Sequence, residues 1–190
     1  HVAWRDGPTR RGVSLVDGHA DRAITVIGER LSPWASDPLP WAALSSADGV
    51  FVTATDVEGL RACRRARVLT ATPRVRLPLL LEADVALDAL IGSGLDPGEA
   101  VPDGLLQPTP RWRIATEGAA GGVVLPGGRF AAPELQQPLR DTYGCGDSFA
   151  AGVTAGLAAG WPVEQAISLG CHWGAACAGH LGPYPPEPEG

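Results

Sequence analysis

The 190-residue sequence predicts an α/β domain of three layers, with helices on both faces of a largely parallel sheet. Two observations carry this. From Gly49 onward, short apolar runs with the length of buried strands alternate with segments bearing helix caps. Near the C-terminal side, a glycine-rich turn follows a strand end and leads on toward two small-residue helices. A composition of 45% hydrophobic and 19% charged residues is that of a chain with one substantial core.

The elements follow in order. Residues 13–16 and 23–26 read as two extended segments either side of Asp17-Gly18-His19-Ala20-Asp21, a β-hairpin. A lone hairpin is marginal in water, so it is expected to pair with strands supplied elsewhere. Pro33, Pro38 and Pro40 then hold a connection around Trp34 and Trp41. Residues 50–53 form a strand, Asp56 caps a helix running to Arg65, and 67–70 form the next strand, ended by Pro73. Leu77 to Glu82 is a short helix and 88–92 another buried strand. Asp96 followed by Pro97 matches a helix N-cap with proline at the first helical position. Residues 111–116 form a strand that runs into the turn 117–122, after which 123–125 and 129–131 pair across Pro126-Gly127-Gly128. A helix through Ser148 to Gly160, a second from Pro162 to about Gly179 and a proline-rich tail from Pro183 complete the chain.

A net charge of −6 and a pI near 5.1 supply no electrostatic footprint for nucleic acid or an anionic membrane. The start of the chain has no signal-peptide pattern and no apolar run approaches 18 residues, so a cytoplasmic protein is expected. Cys63, Cys145, Cys171 and Cys177 have no close-pair metal spacing and are read as reduced thiols. The sequence contains no methionine, from which we expect that it does not begin where its gene begins.

The stretch with the most chemistry is Asp141-Thr142-Tyr143-Gly144-Cys145-Gly146-Asp147. Gly144 and Gly146 let successive N–H groups converge on one point, and the helix that follows adds the positive end of its dipole. That point attracts an anion. Asp147, on the first turn, is placed to serve as a base for a group attacking it. The alternative is an acid that merely complements the helix dipole, worth only about 0.3–1 kcal/mol.

With these residues placed, the sequence resembles the ribokinase-like (PfkB) family of carbohydrate and nucleoside kinases. Asp141-Thr142-x-Gly144-x-Gly146-Asp147 resembles the family's C-terminal signature, Thr116-x-Gly118-x-x-Gly121 its nucleotide-phosphate turn, and the opening hairpin part of its substrate-covering lid. The resemblance implies a three-layer αβα ribokinase-like sheet with residues 1–32 as a partial lid, 33–182 as the C-terminal part of the α/β domain and 183–190 as a tail. The N-terminal portion of the fold, with the residues that hold the sugar, has no counterpart.

Carried over, Asp147 is the catalytic base and the N–H groups of Gly144, Cys145 and Gly146 form the anion hole. Thr116, Gly118 and Gly121 approach ATP, together with Asp141 and Thr142 of the signature. Asp141 either shapes its loop or lies near a monovalent cation, of which the structural role is preferred. The family's Asn-x-x-Glu magnesium motif corresponds to Asp96-Pro97-Gly98-Glu99, so Glu99 matches and Asp96 departs. The family's asparagine in the last helix is Cys171 here, and the signature's usual alanine is Cys145. The implied activity is transfer of the γ-phosphoryl group of ATP, with Mg2+, to a hydroxymethyl group of a sugar or nucleoside, and the lid implies a homodimer. The alternative is a non-catalytic nucleotide-binding remnant or oligomerisation module.

Overall fold

The structure is a computed structural model that describes residues 1–16 and 22–182. The expected hairpin turn and proline-rich tail lie outside the described residues. Two strands, β1 (Arg11–Val16) and β2 (Arg22–Ile27), pair antiparallel with Val13 opposite Thr25 and form a sheet of their own. Six further strands build the main sheet: β3 (Gly49–Val52), β4 (Val68–Ala71), β5 (Ala89–Ser93), β6 (Trp112–Thr116), β7 (Gly122–Leu125) and β8 (Gly128–Phe130). Their order across the sheet is their order in the chain. The first four are parallel, and β7 and β8 each run antiparallel to the strand before.

Helices α1 (Val57–Cys63) and α2 (Leu77–Ala83) cover one face, and α3 (Cys145–Ala158) and α4 (Val163–Cys177) the other. The period of two along β5 divides its side chains between two cores. Leu90 joins Leu60, Leu69, Ala71 and Leu80 under α1 and α2. Ala89 and Ile91 join Ile114, Phe149, Val153 and Ile167 under α3 and α4. The three-layer αβα architecture that the sequence predicts is therefore present. Among the described residues no helix is long and apolar enough to cross a membrane.

Local chemistry explains the element ends. Asp56 caps α1 by accepting the Gly59 N–H at 2.8 Å, and the helix closes at Cys63, two residues short of the predicted Arg65, in a tightened last turn. Asp96 also caps, accepting the Gly98 N–H at 2.8 Å, but only a single 3-10 turn, Pro97–Glu99, follows it. Pro102 and Gly104 follow at once, and both disfavour a continued helix. The connection that Pro33, Pro38 and Pro40 hold around Trp34 and Trp41 contains a 3-10 turn at Trp41–Ser46.

Helices α3 and α4 approach backbone to backbone. A Cβ added at Gly152 would lie 2.7 Å from the Gly170 Cα, and one at Gly156 would lie 2.7 Å from the Ala166 Cα. Gly152→Val is expected to force the helices apart at a cost of about 3 kcal/mol, seen as a lowered midpoint in chemical denaturation. An unchanged midpoint would show a looser seam.

Candidate active site

Helix α3 runs opposite to β4. Its last turn lies at the amino end of the strand, where the Arg67 guanidinium bonds to the Ala158 carbonyl, and midway the hydroxyls of Thr154 and Thr70 meet at 2.6 Å. From Thr154 back to Asp147 the helix rises about 10 Å, and three residues of strand cover about the same distance. Strand β4 ends at Ala71, one residue after Thr70, so Asp147 lies beyond the carboxyl end of the strand, on the side where ligands of open α/β sheets bind.

Gly144 precedes α3 with φ +86°, a conformation that favours glycine and turns the chain sharply into the helix. Among the described residues, the N–H groups of Gly144, Gly146 and Asp147 have no hydrogen-bond partner, whereas that of Cys145 donates to the Thr142 carbonyl at 3.3 Å. The open amides of this turn thus differ from the expected set: Asp147 contributes its own N–H, while Cys145 closes the turn. The Asp147 carboxylate is exposed on the first helical turn and has no ion pair among the described residues. Free N–H groups, a helix dipole and a carboxylate lie together at one point.

The loop before α3 is tied to the end of α4. The two carboxylate oxygens of Asp141 accept N–H groups of Tyr143 and Gly182, each at 3.0 Å. The N–H of Arg140 donates to the Ala178 carbonyl at 2.9 Å, and the Cys177 thiol reaches the Tyr143 carbonyl at 3.4 Å. Thr142 is exposed beside them.

The second glycine turn lies at the carboxyl end of β6. The Thr116 hydroxyl donates to the Gly92 carbonyl at 3.4 Å, and a 3-10 turn at Gly118–Ala120 leads into Gly121. Gly118 and Gly121 have φ of +61° and +84°. A Cβ on Gly121 would lie 2.0 Å from the Phe130 carbonyl oxygen, so the glycine is required by packing whatever else it does. Phe130 in turn stacks on Phe149 of α3 with ring centroids 5.8 Å apart. This ring pair joins the two glycine turns into one region. Cys171 of α4 lies at its border, its thiol directed at the Ala131 carbonyl and its pKa raised by burial. Cys63 lies away from this region in the α1 core, its thiol pushed up to about 11 by burial.

The two expected magnesium ligands have another cation between them. Arg74 bonds through Nε to Glu99 and through a second nitrogen to Asp96 at 2.9 Å. The remaining oxygen of Glu99 accepts the Ser93 N–H at 2.9 Å, and that of Asp96 accepts the Gly98 N–H. Glu99 is only 6% exposed. With all four oxygens engaged and a guanidinium in the centre, this pair does not fit magnesium. Among the described residues no group of three or more His, Cys, Asp or Glu is gathered to hold a metal ion. Arg74→Gln removes the competing charge, so Mn2+ binding, followed by its paramagnetic effect on the protein, is expected in that variant and not in the parent chain. Equal binding by both would show that Arg74 does not block the acids.

Sequence reasoning passed over Arg74, and also Arg30, whose guanidinium donates to the carbonyls of Arg74 and Thr53 at 2.8 and 2.7 Å. The signal available was Thr72-Pro73-Arg74-Val75-Arg76, two cations directly after a strand end. A cavity of about 310 Å3 lies on the α1 and α2 side of the sheet beside Gly92, Glu99, Val101 and Val123, and none of residues 144–147 lines it.

Comparison with known proteins bears on this arrangement. The family model described as pfkB family carbohydrate kinase matches residues 87–190. The acarbose 7(IV)-phosphotransferase of Actinoplanes sp. is 41% identical over 70 residues, 34% of this chain and 23% of that protein. Among solved structures, a probable sugar kinase from Rhizobium etli superposes with a TM-score of 0.67 at 18% identity, covering 94% of this chain and 62% of its own. Adenosine kinase from Schistosoma mansoni, solved in complex with 2-fluoroadenosine, gives 0.70 at 15% identity, covering 97% of this chain and 67% of its own. The chain thus spans about two thirds of the solved structures it matches and a quarter of the curated relative.

Proposed function

Because the chain belongs to the pfkB family of carbohydrate kinases, we propose that it carries the phosphoryl-transfer half of an ATP-dependent kinase site acting on a hydroxymethyl group of a sugar or nucleoside. The observation that carries this reading is the meeting of unpartnered amides and the Asp147 carboxylate at the start of α3.

In the proposed step, the acceptor oxygen attacks the γ-phosphorus of ATP and gives its proton to Asp147. A new O–P bond forms as the bond to the β,γ-bridging oxygen breaks, and ADP leaves with that electron pair. The N–H groups of Gly144, Gly146 and Asp147, with the helix dipole, stabilise negative charge on the transferring group, where catalysis of such reactions mostly resides. Thr116, Gly118 and the turn closed by Gly121 face the nucleotide, with Cys171 at its border. Thr142 and the Asp141-braced loop hold the anion hole in place. No part of this proposal runs through Asp96 or Glu99. The four thiols are all free, which suits the reducing cytoplasm.

A second reading, a nucleotide-binding remnant or oligomerisation module, is favoured by the way Arg74 holds the acids. Val13, Leu15, Ile24, Val26 and Ile27 of the hairpin are roughly half exposed or more, which supports pairing of the lid with a second copy. A coupled assay of ADP release with sugars and nucleosides tests the function. Acceptor-dependent ADP release is the expected result, and nucleotide binding without transfer would favour the second reading.

A further inference from the structure

Strands of a parallel sheet covered on both faces are mostly apolar, yet two hydroxyls meet where α3 lies on β4. Leu69 and Ala71 of β4 join the core under α1 and α2, so Thr70 between them faces α3. Thr70 is fully buried and Thr154 nearly so. A buried hydroxyl is costly unless it is hydrogen-bonded, and both are. Thr154 donates to the Ala150 carbonyl at 2.7 Å, which leaves its oxygen to accept from Thr70, 2.6 Å away. The other acceptor open to Thr70, the Val50 carbonyl, is more distant at 3.4 Å.

The pair fixes α3 in two senses. The Thr154 hydroxyl holds β4, while its methyl lies against β3, where a Cβ added at Gly49 would come within 3.3 Å of it. Height along the strands and rotation about the helix axis are both set by that one side chain. Asp147 is seven residues earlier on the same helix, so it lies on the same side of α3 to within about 20°. A shift of α3 at Thr154 therefore carries Asp147 and the amides of the first turn with it.

We propose that Thr70 and Thr154 are positioning residues for phosphoryl transfer, which set where Asp147 and the N–H groups of Gly146 and Asp147 stand. The catalytic part of this proposal rests on the kinase reading. The placement of α3 is read from the threonines alone.

Thr154→Val tests it, because valine keeps the shape of threonine but puts a methyl where the hydroxyl stands. Carbon and oxygen in contact sit about 3.3–3.6 Å apart, so the 2.6 Å separation has to open by about 1 Å. A β-branched side chain in a helix has one strongly preferred rotamer and does not readily turn aside. Misplacement of a reacting group by about 1 Å costs about 10²-fold in rate. The measurement is ADP release from ATP by the 190-residue chain with ribose or adenosine as acceptor, well below the melting midpoint of each variant. Thr154→Val is expected to lower kcat about 10- to 100-fold with little change in KM for ATP. Thr154→Ser keeps the hydroxyl and should restore most of the rate. Thr70→Ala combined with Thr154→Val removes the oxygen that the methyl meets, and should also recover most of the loss. In the chain without ligand, the amide resonances of Gly146 and Asp147 should move in Thr154→Val and return in the double variant.

A lowered melting midpoint with unchanged kcat would make the pair a purely structural contact and overturn the proposal. So would an equal loss in Thr154→Ser, or a loss that Thr70→Ala does not relieve. Failure of the kinase reading would look different. Neither the parent nor any variant would then release ADP, while resonances that still move and return would support the placement of α3 by the threonines, and resonances that stay fixed would overturn it.

Discussion

Asp147→Asn is expected to lower phosphoryl transfer by the active protein about 10²- to 10⁴-fold, the usual contribution of a positioned general base. The substitution keeps the size of the side chain and removes its ability to take a proton. The open amides of Gly144, Gly146 and Asp147 belong to the backbone, so the proposed anion site should survive the substitution. Nucleotide affinity should therefore change by no more than a few fold, and the loss should fall on kcat. The carboxylate is exposed and has no ion pair among the described residues, so the variant should also fold normally. Steady-state kinetics with ATP and acceptor varied separately read this division. An unchanged kcat would remove Asp147 from the chemistry, and a loss confined to KM for ATP would make it a binding residue instead.

Gly121→Ala is expected to be the most damaging single methyl group in the second glycine turn. At φ +84° and ψ −112° the residue lies where a side chain is strained, and its Cβ would lie 2.0 Å from the Phe130 carbonyl oxygen and 2.8 Å from the Ala131 Cα. All of these contacts are backbone, so none can yield by a rotamer change. Strain and overpacking together cost about 3 kcal/mol or more, equivalent to a fall in Tm of about 6–12 °C for a domain of this size. Gly118→Ala provides the contrast. Its added Cβ would meet only Leu95 Cδ1 at 3.9 Å, leaving the left-handed backbone penalty of about 1–2 kcal/mol. Thermal unfolding of the two variants compares them directly, and equal melting temperatures would contradict the packing at Gly121.

The strands were legible because each is a short apolar run bounded by punctuation. The run 50–53 corresponds to Gly49–Val52, and the helix expected from Leu77 is present at Leu77–Ala83. The signature turn was legible because Gly144 must take a conformation that few other residues adopt. Other features depend on contacts that residue types do not encode. Nothing in the spacing Asp96 to Glu99 announces that a guanidinium from 22 residues earlier in the chain will lie between the two acids. Which amides of the turn stay open depends on which one closes it, and it is the Cys145 N–H that bonds to the Thr142 carbonyl. Gly121 was read as a nucleotide contact from its spacing, while its strongest constraint comes from β8, a strand that follows it in the chain.

The central claim is that the start of α3 and the turn after β6 together bind the phosphates of ATP. Titration of the isotope-labelled chain with a non-hydrolysable ATP analogue, followed through backbone amide resonances, tests it most directly. The largest shifts are expected at Gly144, Gly146, Asp147 and Gly118, with saturation at a single dissociation constant. Shifts gathered instead at Ser93, Val101 and Val123 around the cavity on the opposite face of the sheet would contradict it, as would the absence of any shift at saturating analogue.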